Sequence, residues 1–281
     1  IDRVDAQRTR DVELECKDLL INTSLKGSPV LKVCAVDGRG IGELKESLLS
    51  LRKQWRPRKK DGCFRLAIDR SFVLKGTGRV VTGTVFSGQV STDENVVYAP
   101  GESGAIRVRG VHAQNVAADS AVTGQRAALN ITSSDGRTLA VARGGWIVGQ
   151  TMGFSTLRFD ARITALRDEE KGLRNRMPVH VHIGSADVTG RINLLEKSVA
   201  EPGCAEFAEV ILDRPIHAVR GDKIVLRDQS ARRTVGGGVV LDSLTQTEKR
   251  SKAERLFFLK STWDFDSTDA FAFALANSVS G

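Results

Sequence analysis

The stretch Lys75-Gly76-Thr77-Gly78-Arg79-Val80-Val81-Thr82-Gly83 decides how the rest of the chain is read. A lysine and three glycines within nine residues, beside two threonines, raise the question of a loop that cradles phosphates. A P-loop needs G-x-x-x-x-G-K-[ST], with the lysine and the hydroxyl after the second glycine. Here Lys75 precedes the first glycine, and Gly83 is succeeded by Thr84. A dinucleotide loop needs G-x-G-x-x-G between a strand and a helix. After Gly78 the next glycine is Gly83, too far on, and no helical pattern comes after it. Arg79 to Phe86, on the C-terminal side, is rich in β-branched residues; on the N-terminal side Phe64, Leu66 and Ile68 alternate with Arg65 and Ala67. Two strand patterns around a short glycine-rich segment predict a β-ribbon and its turn. The glycines then serve positive φ and close backbone approach.

Outward from this ribbon the same pattern repeats. ENVVYAP, AIRVRGVHA, QRAALNI and GGWIVG continue it to about residue 150. LRFDARITAL, PVHVHIG, VTGRINLLE, AEFAEVILD, DKIVLRD and GGGVVLD form a second block from about 156 to 245. Strands at intervals of about ten residues indicate closed or nearly closed antiparallel barrels. The fold class is therefore mainly β, with two consecutive barrels over 62–151 and 152–245.

The flanks differ. In 1–53, Val12, Cys16, Leu19 and Leu20 share a helical face with Asp5 as N-cap, PVLKVCAV (29–36) is predicted as a strand, and Ile41, Leu44, Leu48 and Leu51 line a second helix. This is a piece of an α/β domain, too small for a good core by itself. LRKQWRPRKK (51–60) carries six basic residues and Pro57; a charged linker is predicted over 54–61. From 246 the pattern turns helical, with Ser267 as cap of a second tail helix. Ile1 at the start and an unclosed tail at Gly281 read as a chain cut at both ends.

Composition narrows the function class. The net charge of +8 suits a polyanionic partner such as nucleic acid, or only a solvated basic surface. Cys16, Cys34, Cys63 and Cys204 are far apart, which argues against a zinc site or a disulfide framework and fits a reducing, cytoplasmic compartment. No run of 18 apolar residues marks a membrane span. His180 and His182 share a sheet face, but with no ligand at metal spacing they read, like His112, as structural or RNA-facing. Gly236-Gly237-Gly238 reads as a tight strand connection or a backbone anion loop, with Arg232 and Arg233 available to a phosphate.

FRLAIDRSFVLKGTGRVVTGTVFSGQV (64–90), RVRGVHAQN (107–115) and GQRAALN (124–130) resemble the second domain of translational GTPases. Within that group the chain is most similar to the bacterial selenocysteine-specific elongation factors, whose third domain is resembled by VHVHIGSADVTGRINLLE (179–196) and RDQSARRTVGGGVVLD (227–242). IDRVD (1–5) resembles the end of the guanine-specificity motif [NT]-K-x-D, and VCAVDGRGIGELKESL (33–48) the last guanine-contacting loop and final helix of the GTPase domain. The tail, 246–281, resembles the opening of a winged-helix region.

The resemblance implies delivery of selenocysteinyl-tRNA to the ribosome in a GTP-bound form, with Mg²⁺, by a monomer. An mRNA hairpin would be held by complete winged helices in the full-length protein. Asp2 would accept from guanine N–H groups, with the backbone of Cys34 and Ala35 at the guanine oxygen; the family usually has Ser or Thr at the Cys34 position. The P-loop lysine, the Mg²⁺-binding hydroxyls and the water-positioning residue have no counterpart in the chain. No catalytic residue, bound GTP or GTP hydrolysis is therefore expected of this segment alone. Asp69, Arg70 and Arg126 match positions lining the aminoacyl pocket. A selenol is more acidic than a thiol and ionises near neutral pH, and arginine meets it with charge-assisted hydrogen bonds. Asp69 would orient an arginine or receive the α-amino group. Three alternatives stay open: a translational GTPase carrying ordinary aminoacyl-tRNA, a GTPase-scaffold subunit of a sulfate-activating enzyme, and a free-standing barrel scaffold.

Overall fold

The computed structural model describes residues 1–23, 25–55, 61–101, 104–134, 139–243 and 252–264. The chain divides into two compact units, Ile1–Arg58 and Lys59–Gly281. The first holds helices α1 (Ala6–Leu20) and α2 (Ile41–Gln54). Asp5 caps α1 as expected: its carboxylate accepts the Arg8 N–H at 2.7 Å, satisfying a donor the helix leaves unpaired. The expected strand over 29–36 does not form; 29–34 carry no regular structure and 35–37 turn. A strand exists only by pairing, and no other described segment of this unit is a strand. Neither helix buries a residue, and Cys34 is the one buried position described in the unit.

The second unit begins with β1 (Arg65–Leu74), β2 (Gly78–Ser87), β3 (Gln89–Ser91), β4 (Asn95–Ala99), β5 (Ile106–Ala113), β6 (Val116–Ala118), β7 (Ser120–Val122), β8 (Arg126–Ser133) and β9 (Trp146–Gly149). Their order is β4-β9-β1-β2-β8-β5-β6, and a further β4–β5 pairing closes the first six into a ring with β6 outside it, while β3 and β7 form a side pair. The second set is β10 (Thr156–Ala165), β11 (Leu173–Arg174), β12 (Pro178–Ile183), β13 (Ala186–Leu194), β14 (Val199–Ala200), β15 (Ala205–Ile216), β16 (Lys223–Arg227) and β17 (Thr234–Asp242). These close a barrel in the order β10-β15-β13-β12-β16-β17, with β11 and β14 paired beside it. Within this closed barrel every strand is paired on both sides, which leaves no edge there to aggregate. Alternation supplies the cores: β5 buries Ile106, Val108, Val111 and Ala113 and exposes Arg107, Arg109 and His112.

Lys75, Gly76 and Thr77 make the β1–β2 turn, closed by the Thr77 N–H on the Leu74 carbonyl at 3.1 Å. Gly76 and Gly78 have φ of +83° and +95°, and a Cβ on Gly83 would stand 1.9 Å from the Ala67 carbonyl oxygen. The opening stretch is thus a hairpin whose glycines serve backbone geometry. The Gly236–Gly238 run is neither a loop nor a connection but the middle of β17. A Cβ on Gly238 would stand 2.2 Å from the Arg162 carbonyl oxygen, so close approach to β10 explains it.

The two barrels are joined through a buried charged cluster. Arg65 donates to both carboxylate oxygens of Asp222, at 3.0 and 2.6 Å, and its Nε–H to His217 Nε2 at 3.0 Å. It stacks 4.4 Å from the Trp146 ring centre. His217 therefore carries its proton on Nδ1 and donates to the Phe154 carbonyl at 3.1 Å. Burial pushes the His217 pKa down to about 4, the Arg65 charge adding to this against the Phe154 carbonyl and Asp222.

Helix α3 (Lys252–Asp264) docks on the second barrel through Phe258 and Leu259, which pack with Leu195, Phe207 and Leu241. Arg255 reaches past them to the carboxylates of Asp160 and Glu209. The second tail helix with its Ser267 cap, and residues 56–60 of the basic linker, lie outside the described residues. No helix among the described residues is long and apolar enough to cross a membrane.

Candidate functional site

The β1–β2 register pairs Ile68 with Gly83 and Arg70 with Thr82. Asp69 is left over, a β-bulge. A regular strand sends neighbours to opposite faces. Here Asp69 and Arg70 together oppose one residue, Thr82. Arg126, the first residue of β8, pairs with Thr84 two residues along β2, so it shares the face of Thr82. The bulge thereby gathers Asp69, Arg70, Thr82 and Arg126 from three strands.

Asp69 grips Arg126. The Nη2 group donates to the two carboxylate oxygens at 2.9 and 3.0 Å, and Nε donates to Oδ2 at 3.2 Å. The Thr82 hydroxyl donates to Asp69 Oδ1 at 2.7 Å and accepts from Arg126 Nη2 at 3.2 Å. The pair is open to solvent, with Arg126 47% and Asp69 35% exposed, while Thr82 is buried beneath it. Arg70 is exposed and makes no hydrogen bond or ion pair among the described residues. One guanidinium is fixed and neutralised by a carboxylate, and a second is free, so the face keeps one positive charge. Arg126 and Thr82 together place two donors on each Asp69 oxygen, so an ammonium group would have to replace one of these bonds. The sequence pattern does not single out Thr82; only strand pairing reveals it.

The other expected positions are dispersed. Asp2 and Cys34 are brought together: Asp2's own backbone N–H and the Cys34 thiol hold its carboxyl below the usual range. The Cys34 N–H is committed to the Arg39 carbonyl at 2.9 Å, and Ala35 is exposed. Arg232 and Arg233 sit on a turn where Asp228 accepts both backbone N–H groups, at 2.9 and 3.1 Å. The Arg233 guanidinium lies 3.2 Å from buried Glu169, while the Arg232 side chain is exposed without a partner among the described residues. His112 opposes Ala128, which opposes Thr82, so it faces outward in the same row as Arg70. His180 Nδ1 lies 2.9 Å from Asp187, an acid from the neighbouring strand that spacing along the sequence does not reveal. Among the described residues no group of three His, Cys, Asp or Glu side chains is arranged to hold a metal.

A sequence model described as the selenocysteine-specific elongation factor β-barrel domain matches residues 160–247. The selenocysteine-specific elongation factor of Escherichia coli strain K12 is 35% identical over 260 residues, covering 92% of this chain and 40% of the relative. Nine tenths of the chain is thus similar to a selenocysteine-specific elongation factor. The Haemophilus influenzae factor is 33% identical over 257 residues, covering 90% of this chain and 40% of the relative. The crystal structure of a bacterial selenocysteine-specific elongation factor, EF-Sec, matches with a TM-score of 0.75 at 27% identity, covering 94% of this chain and 42% of that one. The chain thus spans about two fifths of the length of the relatives it matches.

Proposed function

We propose that this chain is the tRNA-holding part of a selenocysteine-specific elongation factor, and that Asp69, Arg70 and Arg126 receive the aminoacyl group of selenocysteinyl-tRNA. The observation that carries the reading is the free guanidinium of Arg70 beside an Arg126 locked by Asp69 and Thr82. A selenolate placed there meets two arginines of which only one is neutralised. Charge-assisted bonds of this kind contribute about 1.5 to 3 kcal/mol each. A neutral seryl hydroxyl gains less, so charge selects selenocysteine. The α-amino group is accepted by Asp69 in place of one of its present bonds.

On this reading 1–53 are the end of the GTPase domain, 54–61 its linker, 62–151 and 152–245 the barrels, and 246–281 the start of a winged-helix region. In the whole protein GTP with Mg²⁺ supplies the switch that loads and releases the tRNA on the ribosome, in the cytoplasm. Asp2 stays ionised beside Cys34, which suits acceptance of two guanine N–H groups, and Ala35 offers its N–H to the guanine oxygen. Arg232 reaches a tRNA phosphate, and Arg233 does so once released from Glu169.

The test is the affinity of wild type and Arg126→Ala for selenocysteinyl- and seryl-tRNA. Preference for the selenocysteinyl form is expected to fall about tenfold or more. An unchanged preference removes Arg126 from the pocket.

A further inference from the structure

A cleft of about 510 Å³ opens between the two barrels, and none of Asp69, Arg70, Thr82 and Arg126 lines it. Arg143 and Gly144 line it from the first barrel; His182, Ser185, Asp187 and Arg214 line it from the second. The charges do not balance. Asp187 is the one acid in the wall, and His180 Nδ1 already sits 2.9 Å from its carboxylate, with His182 Nε2 at 3.8 Å from the same oxygen. Arg214 spends only an Nη2 donor, on the Asp187 carbonyl at 2.7 Å. Arg143 is exposed and makes no hydrogen bond or ion pair among the described residues. The Ser185 hydroxyl is turned away to the Ile68 carbonyl at 2.5 Å, which ties the cleft wall to β1.

Two guanidiniums from different barrels therefore face one cleft with most of their donors unspent. Guanidinium forks match the oxygens of a phosphate two at a time. We propose that this cleft binds a phosphate group, carried by an RNA backbone or free, between Arg143 and Arg214. The RNA form rests on the tRNA-holding reading above and extends it: the clamp ignores the aminoacyl group and contributes affinity without selectivity.

The first arm measures tRNA affinity against salt for wild type, Arg143→Gln, and Arg143→Gln with Arg214→Gln. Arg143→Gln breaks no hydrogen bond or ion pair among the described residues, so its effect reports on the ligand. Losing one phosphate contact should flatten the slope of log affinity against log salt by about 0.7 to 0.9. Both aminoacyl forms should weaken by the same factor, unlike the effect of Arg126→Ala. The second arm titrates inorganic phosphate and tracks the side-chain Nε–H signals of Arg143 and Arg214 by NMR. A flattened slope assigns the phosphate to RNA. A wild-type slope with both Nε–H signals shifting assigns it to free phosphate. Unchanged slope and unmoved signals overturn the site. If wild type binds no tRNA, the tRNA-holding reading fails, and the phosphate titration still decides the cleft.

Discussion

Strand β1 carries two arginine–aspartate pairs four residues apart, and they behave as opposites. At its start Arg65 grips Asp222; at its bulge Asp69 grips Arg126. Both are bidentate. The first is sealed between barrels, with side chains 6% and 8% exposed, and it bonds further to His217 and the Val219 N–H. The second lies open, with Arg70 unpaired beside it. The same chemistry is shut away from water at one end of the strand and open to it at the other.

Breaking each pair should tell the two apart. Removing one partner of a buried pair leaves an uncompensated charge and costs about 3 to 5 kcal/mol. Asp222→Ala should therefore lower the urea unfolding free energy by that amount while leaving tRNA preference alone in the protein that remains folded. Arg126→Ala should cost no more than about 1 kcal/mol, because exposed pairs are screened. Equal losses for the two variants would erase the distinction.

Acid sharpens the comparison within the buried class. The folded-state pKa of His217, about 4, lies below its ordinary 6.5. Between those values the unfolded chain holds more protons, so stability rises with pH. The contribution is whole above pH 6.5 and is lost as pH falls toward 4, about 3 kcal/mol in all. Asp160, beneath helix α3, goes the other way. Burial raises it to about 6, the repulsion of Asp242 and Glu209 adding to this and outweighing the Arg255 pairing. Its folded form holds the extra proton, so acidification from about 6 to 4 stabilises by a similar amount. The two largely cancel in the intact chain. His217→Gln and Asp160→Asn should tilt the pH dependence of the urea midpoint in opposite directions relative to wild type. Tilts of the same sign would contradict one of the two assignments.

How much can be read from residues alone depends on how local each cause is. The hairpin at Lys75–Gly83 announces itself through glycines and β-branched neighbours, and the Asp5 cap through its place before a periodic run. The predicted strand over 29–36 fails because its apolar pattern is a promise that only a pairing neighbour can keep. The triple glycine reads as a loop or connection because its real cause, a carbonyl of β10, lies some seventy positions away in sequence. Arg65, His217 and Asp222 share a site across about 150 residues and leave no local mark. For the pocket, resemblance supplies Asp69, Arg70 and Arg126. The bulge that turns two neighbours to one face, and Thr82 beneath them, come only from register.

That bulge makes the smallest prediction the most specific. Thr82 neither carries charge nor reaches solvent, yet its hydroxyl touches both members of the open pair. Thr82→Val keeps the β-branched shape and removes the two bonds. Asp69 still holds Arg126, so stability should change by about 1 kcal/mol or less. The guanidinium is then positioned by one anchor instead of two, and a group free to swing directs its N–H donors less well at a selenolate. Preference for selenocysteinyl- over seryl-tRNA should fall about two- to fivefold, less than the loss for Arg126→Ala, with affinity for seryl-tRNA unchanged. Combining Thr82→Val with Arg126→Ala should add nothing to the selectivity loss, since the hydroxyl acts through the arginine it holds. Additive losses would mean that Thr82 meets the aminoacyl group itself.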